Sequence, residues 1–126
     1  MIKQRYDFDE VRKIYQENQK QLDNLVQNIV QLSCENGQTI ATAESCTGGL
    51  LSQKITAVPG ASQMFALGIC TYTNEMKTAI LHVPESTLHT YTAVSPQTAI
   101  AMANGVAALS HFLFRPGVLF HRHILF

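Results

Sequence analysis

Between Thr39 and Gly49 the chain passes from a short apolar run, partly β-branched, into a turn of small polar residues and glycine. Thr39-Ile40-Ala41-Thr42-Ala43 reads as a buried strand. Glu44-Ser45-Cys46-Thr47-Gly48-Gly49 follows it. Residues 48–57 then read as a helix with Leu50, Leu51, Ile55 and Val58 on its apolar side, stopped by Pro59-Gly60. The pattern repeats: residues 65–72 read as a second strand, 74–81 as a helix broken at Val83-Pro84, and 85–89 as one more helical turn. Ser95-Pro96 opens a last helix, with serine as N-cap and proline at the first helical position, running to about Leu109 on an alanine-rich face. Strand–helix–strand–helix order predicts an α/β layered fold.

Three zones differ in character. Residues 1–36 are polar, with Leu22, Leu25, Val26, Ile29, Val30 and Leu32 at helical spacing, so they form an N-terminal amphipathic helix that packs on the domain. Residues 9–19 carry a weaker version of the stripe in Val11, Ile14 and Tyr15, as a separate helix or a frayed extension. Asn36-Gly37 is the stop, because both residues tolerate left-handed backbone angles. Residues 37–109 are the α/β domain. Residues 110–126 are a divergent tail that holds four of the six phenylalanines and three of the five histidines; Val118-Leu119-Phe120 reads there as a strand.

Composition narrows the function. Hydrophobic residues are 46% and charged residues 14% of the 126, enough for a core and against global disorder. The formal net charge is zero, which gives no reason to expect nucleic acid or a membrane as partner. The polar face of the N-terminal helix is not strongly basic, so that helix is core-packing or dimer-forming, and a homo-oligomer stays open. Cys34, Cys46 and Cys70 are an odd count at wide spacing, with no paired-cysteine motif, which suits free thiols in a reducing cytoplasm. The N-terminus has no apolar signal core, and no apolar run approaches the roughly 20 residues of a membrane span. A cytoplasmic protein is expected.

The chemistry concentrates at two strand-to-helix junctions. Ser45, at the end of the first strand, would be displayed at the C-terminal edge of a parallel sheet, where α/β sites lie. The Thr47-Gly48-Gly49 amides at the following helix start would be free to hold an anion, either a phosphate or the oxyanion of acyl transfer. A plainer reading has Ser45 and Thr47 as caps. Cys46 is a second nucleophile candidate, since a helix N-terminus favours the thiolate; the alternative is a small buried residue. Glu44 either orients the serine loop or is a plain loop carboxylate. At the second junction, Thr71-Tyr72-Thr73-Asn74-Glu75-Met76-Lys77, Tyr72 and Lys77 could line one pocket, with lysine as base for a serine and tyrosine as proton donor. The alternative is a solvated lysine and a half-buried tyrosine. His121 and His123 could share one side of a strand, but no third ligand is placed nearby, so no metal is expected. His82 and His89 are lone histidines near turns.

Taken together, these junctions resemble the CinA C-terminal domain family. Residues 42–49 match its TAESCTGG signature. The similarity continues through Val58-Pro59-Gly60-Ala61-Ser62 (VPGSS in the family), Thr71-Tyr72-Thr73-Asn74-Glu75 with Lys77 (TYSNEAK), Leu81-His82-Val83-Pro84-Glu85-Ser86-Thr87-Leu88 (LGVPEETL) and Ala93-Val94-Ser95 (GAVS). The resemblance covers about Thr39 to Leu109. It implies a three-layer α/β/α domain that hydrolyses the carboxamide of nicotinamide mononucleotide to nicotinate mononucleotide and ammonia, with no metal or cofactor. It further implies Ser45 as nucleophile, Lys77 as base, Tyr72 as its helper and the Thr47-Gly48-Gly49 amides as anion donors. Glu44, Cys46 and Asn74 stand beside them on the substrate side. The family pattern goes on with a further strand, a glycine-rich loop, another strand and a long helix. Residues 110–117 match none of these, so a C-terminally truncated, incomplete domain is expected. Three functions follow from the whole reading: an amidase impaired by truncation, an inactive remnant that pairs with another chain, or a nucleotide-phosphate-binding module without chemistry.

Overall fold

The computed structural model describes residues 7–113 and 122–125, with side chains as far as Ser110. The first element, α1 (Phe8–Glu35), is one continuous helix of 28 residues rather than two. Asp7 caps it: its carboxylate accepts from the Asp9 and Glu10 amides at 3.0 and 3.3 Å, satisfying two of the orphan donors of the first turn. At the far end the Asn36 side chain donates to the Leu32 carbonyl at 2.7 Å, and Gly37 takes the left-handed φ of 62° that ends the helix. The domain covers a narrower line of α1 than the apolar stripe suggests. Val26, Val30 and Ser33 are buried and Ile29 packs at the margin, while Leu22, Leu25 and Leu32 are exposed.

Three strands form one parallel sheet: β1 (Thr39–Glu44), β2 (Phe65–Cys70) and β3 (Arg122–Leu125), in the order β2-β1-β3. β1 is central, and its alternation defines the layers. Ile40 joins a core with Val26, Val30, Ile55, Ala61 and Met64, on the side of α1 and α2 (Leu50–Thr56). Ala43 joins the opposite core with Leu81, Val83, Leu88, Met102 and Val106, on the side of α3 (Asn74–Leu81), α4 (Glu85–Tyr91) and α5 (Pro96–Leu113). The α/β class and the layered arrangement expected from the sequence are those observed.

Several boundaries move. α2 begins at Leu50, not at residue 48, because Gly48 and Gly49 stand at φ 62° and 104° in the preceding turn; Leu50 is exposed rather than on the apolar side. β2 stops at Cys70, two residues early, where the chain turns toward α3. The short 85–89 turn is a full helix through Tyr91, and α5 continues to Leu113. Ser95 does act at the start of α5: its hydroxyl accepts from the Thr98 amide at 3.2 Å. The strand anticipated at 118–120 lies outside the described residues; the observed third strand is β3, parallel to β1 with Ile40 opposite His123. Gly105 lets α5 close on α3, since a Cβ there would collide with the Leu81 backbone carbonyl.

Candidate active site at the sheet edge

β1 and β2 end level with each other. The Thr71 amide donates to the Glu44 carbonyl at 2.9 Å, so both strand-to-helix turns leave the same edge of the sheet. Ser45, the first residue beyond β1, is half-buried there. Across the edge, Thr73 caps α3 by accepting from the Met76 amide at 3.3 Å. That cap fixes the first turn of α3, which carries Lys77 back toward β1.

Lys77 is fully buried. Its Nζ donates to the Thr71 carbonyl at 2.8 Å and the Tyr72 carbonyl at 3.0 Å, and lies 3.0 Å from Ser45 Oγ. Among the described residues it has no carboxylate partner. The three contacts determine what each protonation state does. A charged ammonium donates to all three oxygens. A neutral amine has two N–H bonds, which the two carbonyls take, and its lone pair is then left for the Ser45 hydroxyl proton. Two backbone carbonyls thus hold the amine against the serine hydroxyl, a geometry in which a neutral lysine would turn its lone pair to that hydroxyl. Thr71 Oγ1, also fully buried, has no hydrogen-bond partner among the described residues. An ordered water or a substrate polar group is the ordinary complement of such an atom.

Behind Ser45, Glu44 organises the turn. Glu44 is buried, 3% exposed as a residue. It accepts from Thr47 Oγ1 at 2.8 Å, from the backbone amides of Gly49 (3.1 Å), Leu51 (2.9 Å) and Ser52 (2.8 Å), and from Ser52 Oγ at 2.6 Å. Burial by itself raises its pKa. The hydrogen bonds from the Ser52 hydroxyl and amide, the Leu51 amide and Thr47 outweigh burial and hold it below the ordinary 4.5. Ser52 is braced in turn by Thr42, the two hydroxyl oxygens being 2.8 Å apart. Gly68 on β2 makes room, because a Cβ would come within 2.5 Å of Ser52 Oγ.

This arrangement corrects the expectation of free amides at Gly48 and Gly49, while the Thr47 amide stays without a partner among the described residues. The Gly48 amide is turned onto the Ser45 carbonyl at 3.0 Å and the Gly49 amide onto Glu44, so the chain's own carboxylate occupies the start of α2. Among the described residues, the backbone N–H groups left without a partner at this turn are those of Ser45, Cys46 and Thr47. Tyr72 reaches the site through its carbonyl; its side chain is 75% exposed. Cys46 and Asn74 are exposed beside the edge, and no hydrogen bond joins either side chain to Ser45 or Lys77. Ser52, Thr42 and Thr71 escaped the sequence reading. Ser52 was findable in principle: a hydroxyl in the first turn of a helix preceded by a strand-end glutamate pairs with it readily. His121 falls outside the described residues, and the His123 side chain is likewise not described. Among the described residues no cluster of histidine, cysteine and carboxylate is arranged to hold a metal, and no helix is long and apolar enough to cross a membrane.

The fold is thus a layered α/β domain with a buried lysine against a serine at the C-terminal edge of its parallel sheet. The sequence model of the CinA C-terminal domain matches residues 22–112, and the chain belongs to that family. It is 49% identical over 84 residues to a CinA-like protein of Desulfotalea psychrophila, covering 67% of this chain and 20% of the relative. It is 53% identical over 78 residues to a CinA-like protein of Desulfovibrio desulfuricans, covering 62% of this chain and 18% of that one. Among solved structures, the competence/damage inducible protein CihA of Agrobacterium tumefaciens superposes with a TM-score of 0.68 at 40% identity, over 70% of this chain and 53% of that one. A CinA superfamily protein of Escherichia coli gives a TM-score of 0.68 at 33% identity, over 70% and 51%. The chain therefore spans about a fifth of the length of these curated relatives and about half of these solved chains.

Proposed function

We propose that this chain carries the nucleophile and base of a nicotinamide-nucleotide amidase, which converts nicotinamide mononucleotide and water to nicotinate mononucleotide and ammonia. The observation that carries the reading is the 3.0 Å contact between Lys77 Nζ and Ser45 Oγ, with the amine anchored by two carbonyls. Ser45 Oγ attacks the carboxamide carbon while its proton passes to the Lys77 lone pair. The tetrahedral oxyanion collapses, the C–N bond breaks, and the nitrogen leaves as ammonia with the proton returned from Lys77. Water, deprotonated by the same amine, then cleaves the acyl-serine. Glu44 holds the turn that presents Ser45. The Ser45, Cys46 and Thr47 amides are the donors left for the oxyanion, where one hydrogen bond contributes on the order of 3 kcal/mol. Tyr72 acts by its carbonyl on Lys77, and its exposed ring stands free to meet the substrate. The family resemblance supplies the substrate; the relatives' names specify no chemistry.

The phosphate-binding alternative is weakened by the same geometry, since Glu44 already fills the start of α2. Ammonia release from nicotinamide mononucleotide by the purified chain tests the proposal. Ser45→Ala and Lys77→Ala should each lower turnover on the order of a thousandfold or more, and the double variant should be hardly worse than either alone, because the pair acts as a unit. Folded protein that releases no ammonia, or turnover indifferent to Ser45→Ala, would overturn it.

A further inference from the structure

Two of the three cysteines meet at the edge of the sheet that carries Ser45. Cys70 is the last residue of β2 and stands opposite Glu44, the last residue of β1. Cys46 follows two residues after Glu44, in a tight turn closed by the Gly48 amide on the Ser45 carbonyl at 3.0 Å. That same carbonyl accepts from Cys70 Sγ at 3.7 Å. Both thiols are free and exposed, and neither belongs to a core. Cys34 is different: it packs against the α1–α2 core, and its Sγ lies 3.9 Å from the Gly60 carbonyl.

The covalent geometry limits how far apart the pair can be. A trans peptide places the next Cα about 2.8 Å from its carbonyl oxygen, so Cys70 Sγ lies within about 6.5 Å of the Cys46 Cα. Adjacent strands already hold the Cys70 Cα about 5 Å from that of Glu44. A disulfide asks for Cα atoms about 4.4–6.8 Å apart. Closing it therefore calls on the turn and not on the sheet. The turn has room to move, because nothing lies within 4 Å of where a Cβ would stand at Gly48 or Gly49.

We infer that Cys46 and Cys70 are an oxidisable pair, whose disulfide ties the end of β2 to the turn that presents Ser45. The oxidant is a small-molecule disulfide such as glutathione disulfide. The thiolate of one cysteine attacks it, its S–S bond breaks, and one glutathione leaves as a thiol. The other cysteine, as thiolate, then displaces the second glutathione. The chain gives up two electrons and two protons and gains one S–S bond, while the oxidant becomes two thiols. Drawing Cys46 toward Cys70 shifts the Ser45 hydroxyl and the amides beside it, while Lys77 is held on α3 by the Thr71 and Tyr72 carbonyls. The loss of turnover that this implies rests on the amidase reading; formation of the bond does not.

Peptide mapping of the full chain without reduction, after exposure of the folded protein to glutathione disulfide, tests the pair. Cleavage after lysine and glutamate separates the three cysteines, at Glu35, Glu44 and Lys54. The expected product joins the Cys46 and Cys70 peptides and leaves Cys34 outside the link. A separate glutathione on each of Cys46 and Cys70, or a link through Cys34, would overturn the proposal. Ammonia release should fall roughly a hundredfold on oxidation, the scale of a lost oxyanion donor, and return with dithiothreitol. Cys70→Ser should keep the turnover of the reduced chain and lose the response to the oxidant. A cross-linked chain with undiminished turnover would overturn the control of Ser45. A reduced chain that releases no ammonia would count against the amidase reading alone, because the peptide map still decides whether the bond forms.

Discussion

Glu44 does for the start of α2 what a bound anion does at other helices: it satisfies the Gly49, Leu51 and Ser52 amides with a fixed negative charge. Its influence should appear as a pH dependence. The folded-state pKa lies below 4.5 and the unfolded chain titrates at the ordinary value, so in acid the unfolded state binds more protons. The stabilisation is fully present above pH 4.5 and is lost as pH falls through the folded value. Glu44→Gln keeps the shape but turns an amide donor toward other donors, and should cost about 2 kcal/mol at pH 7. Urea midpoints at pH 7 and pH 3.5 should differ less in the variant than in the wild type; equal differences would deny the carboxylate this role. The residue was legible in the sequence only as a loop acid with two readings. What could not be read was that three amides and two hydroxyls converge on it, because that depends on the Gly48 and Gly49 backbone angles and on Thr42 bracing Ser52 from the strand behind.

Among the elements, those ruled by local chemistry were the readable ones. α3 starts after its cap Thr73 and stops before Val83-Pro84 because cap and breaker lie next to it in the sequence. α1 is where tertiary context decides: its apolar stripe reads as core-packing or dimer-forming, and the domain takes Val26 and Val30 from it and leaves Leu25 and Leu32 outside. β3 was legible only as an apolar run nearby, since nothing in a four-residue strand names its partner. The contact of α5 with α3 was invisible, because an alanine-rich helix with one glycine looks ordinary until Leu81 is set against that glycine. Gly105→Ala should therefore destabilise the domain although alanine is the better helix former by about 1 kcal/mol. Overpacking of this kind costs typically 1–3 kcal/mol. A thermal midpoint lower by several degrees is the expected result; an unchanged or higher one would mean that α5 shifts freely away from α3.

For the molecule as a whole, the decisive feature is that β1 belongs to both cores. Ile40 anchors the α1–α2 side and Ala43 the α3–α5 side, three residues apart on the same strand. Neither layer can be lost without stripping one face of that strand, so damage on one side should be felt on the other. Ser45 and Lys77 depend on this coupling, since the serine follows β1 and the lysine sits on a helix of the far layer. Met64, 1% exposed in the α1–α2 core, gives the test. Met64→Ala removes a buried side chain and should cost about 2–5 kcal/mol, depending on how far the site collapses. If the domain unfolds as one unit, native-state hydrogen exchange at Met102 and Val106, on the opposite side of the sheet, should lose protection by the same free energy as exchange at Ile55 beside the cavity. Protection at Met102 and Val106 that stays at the wild-type level would separate the two layers into independent cooperative units, and the Ser45–Lys77 contact would then join parts that open separately.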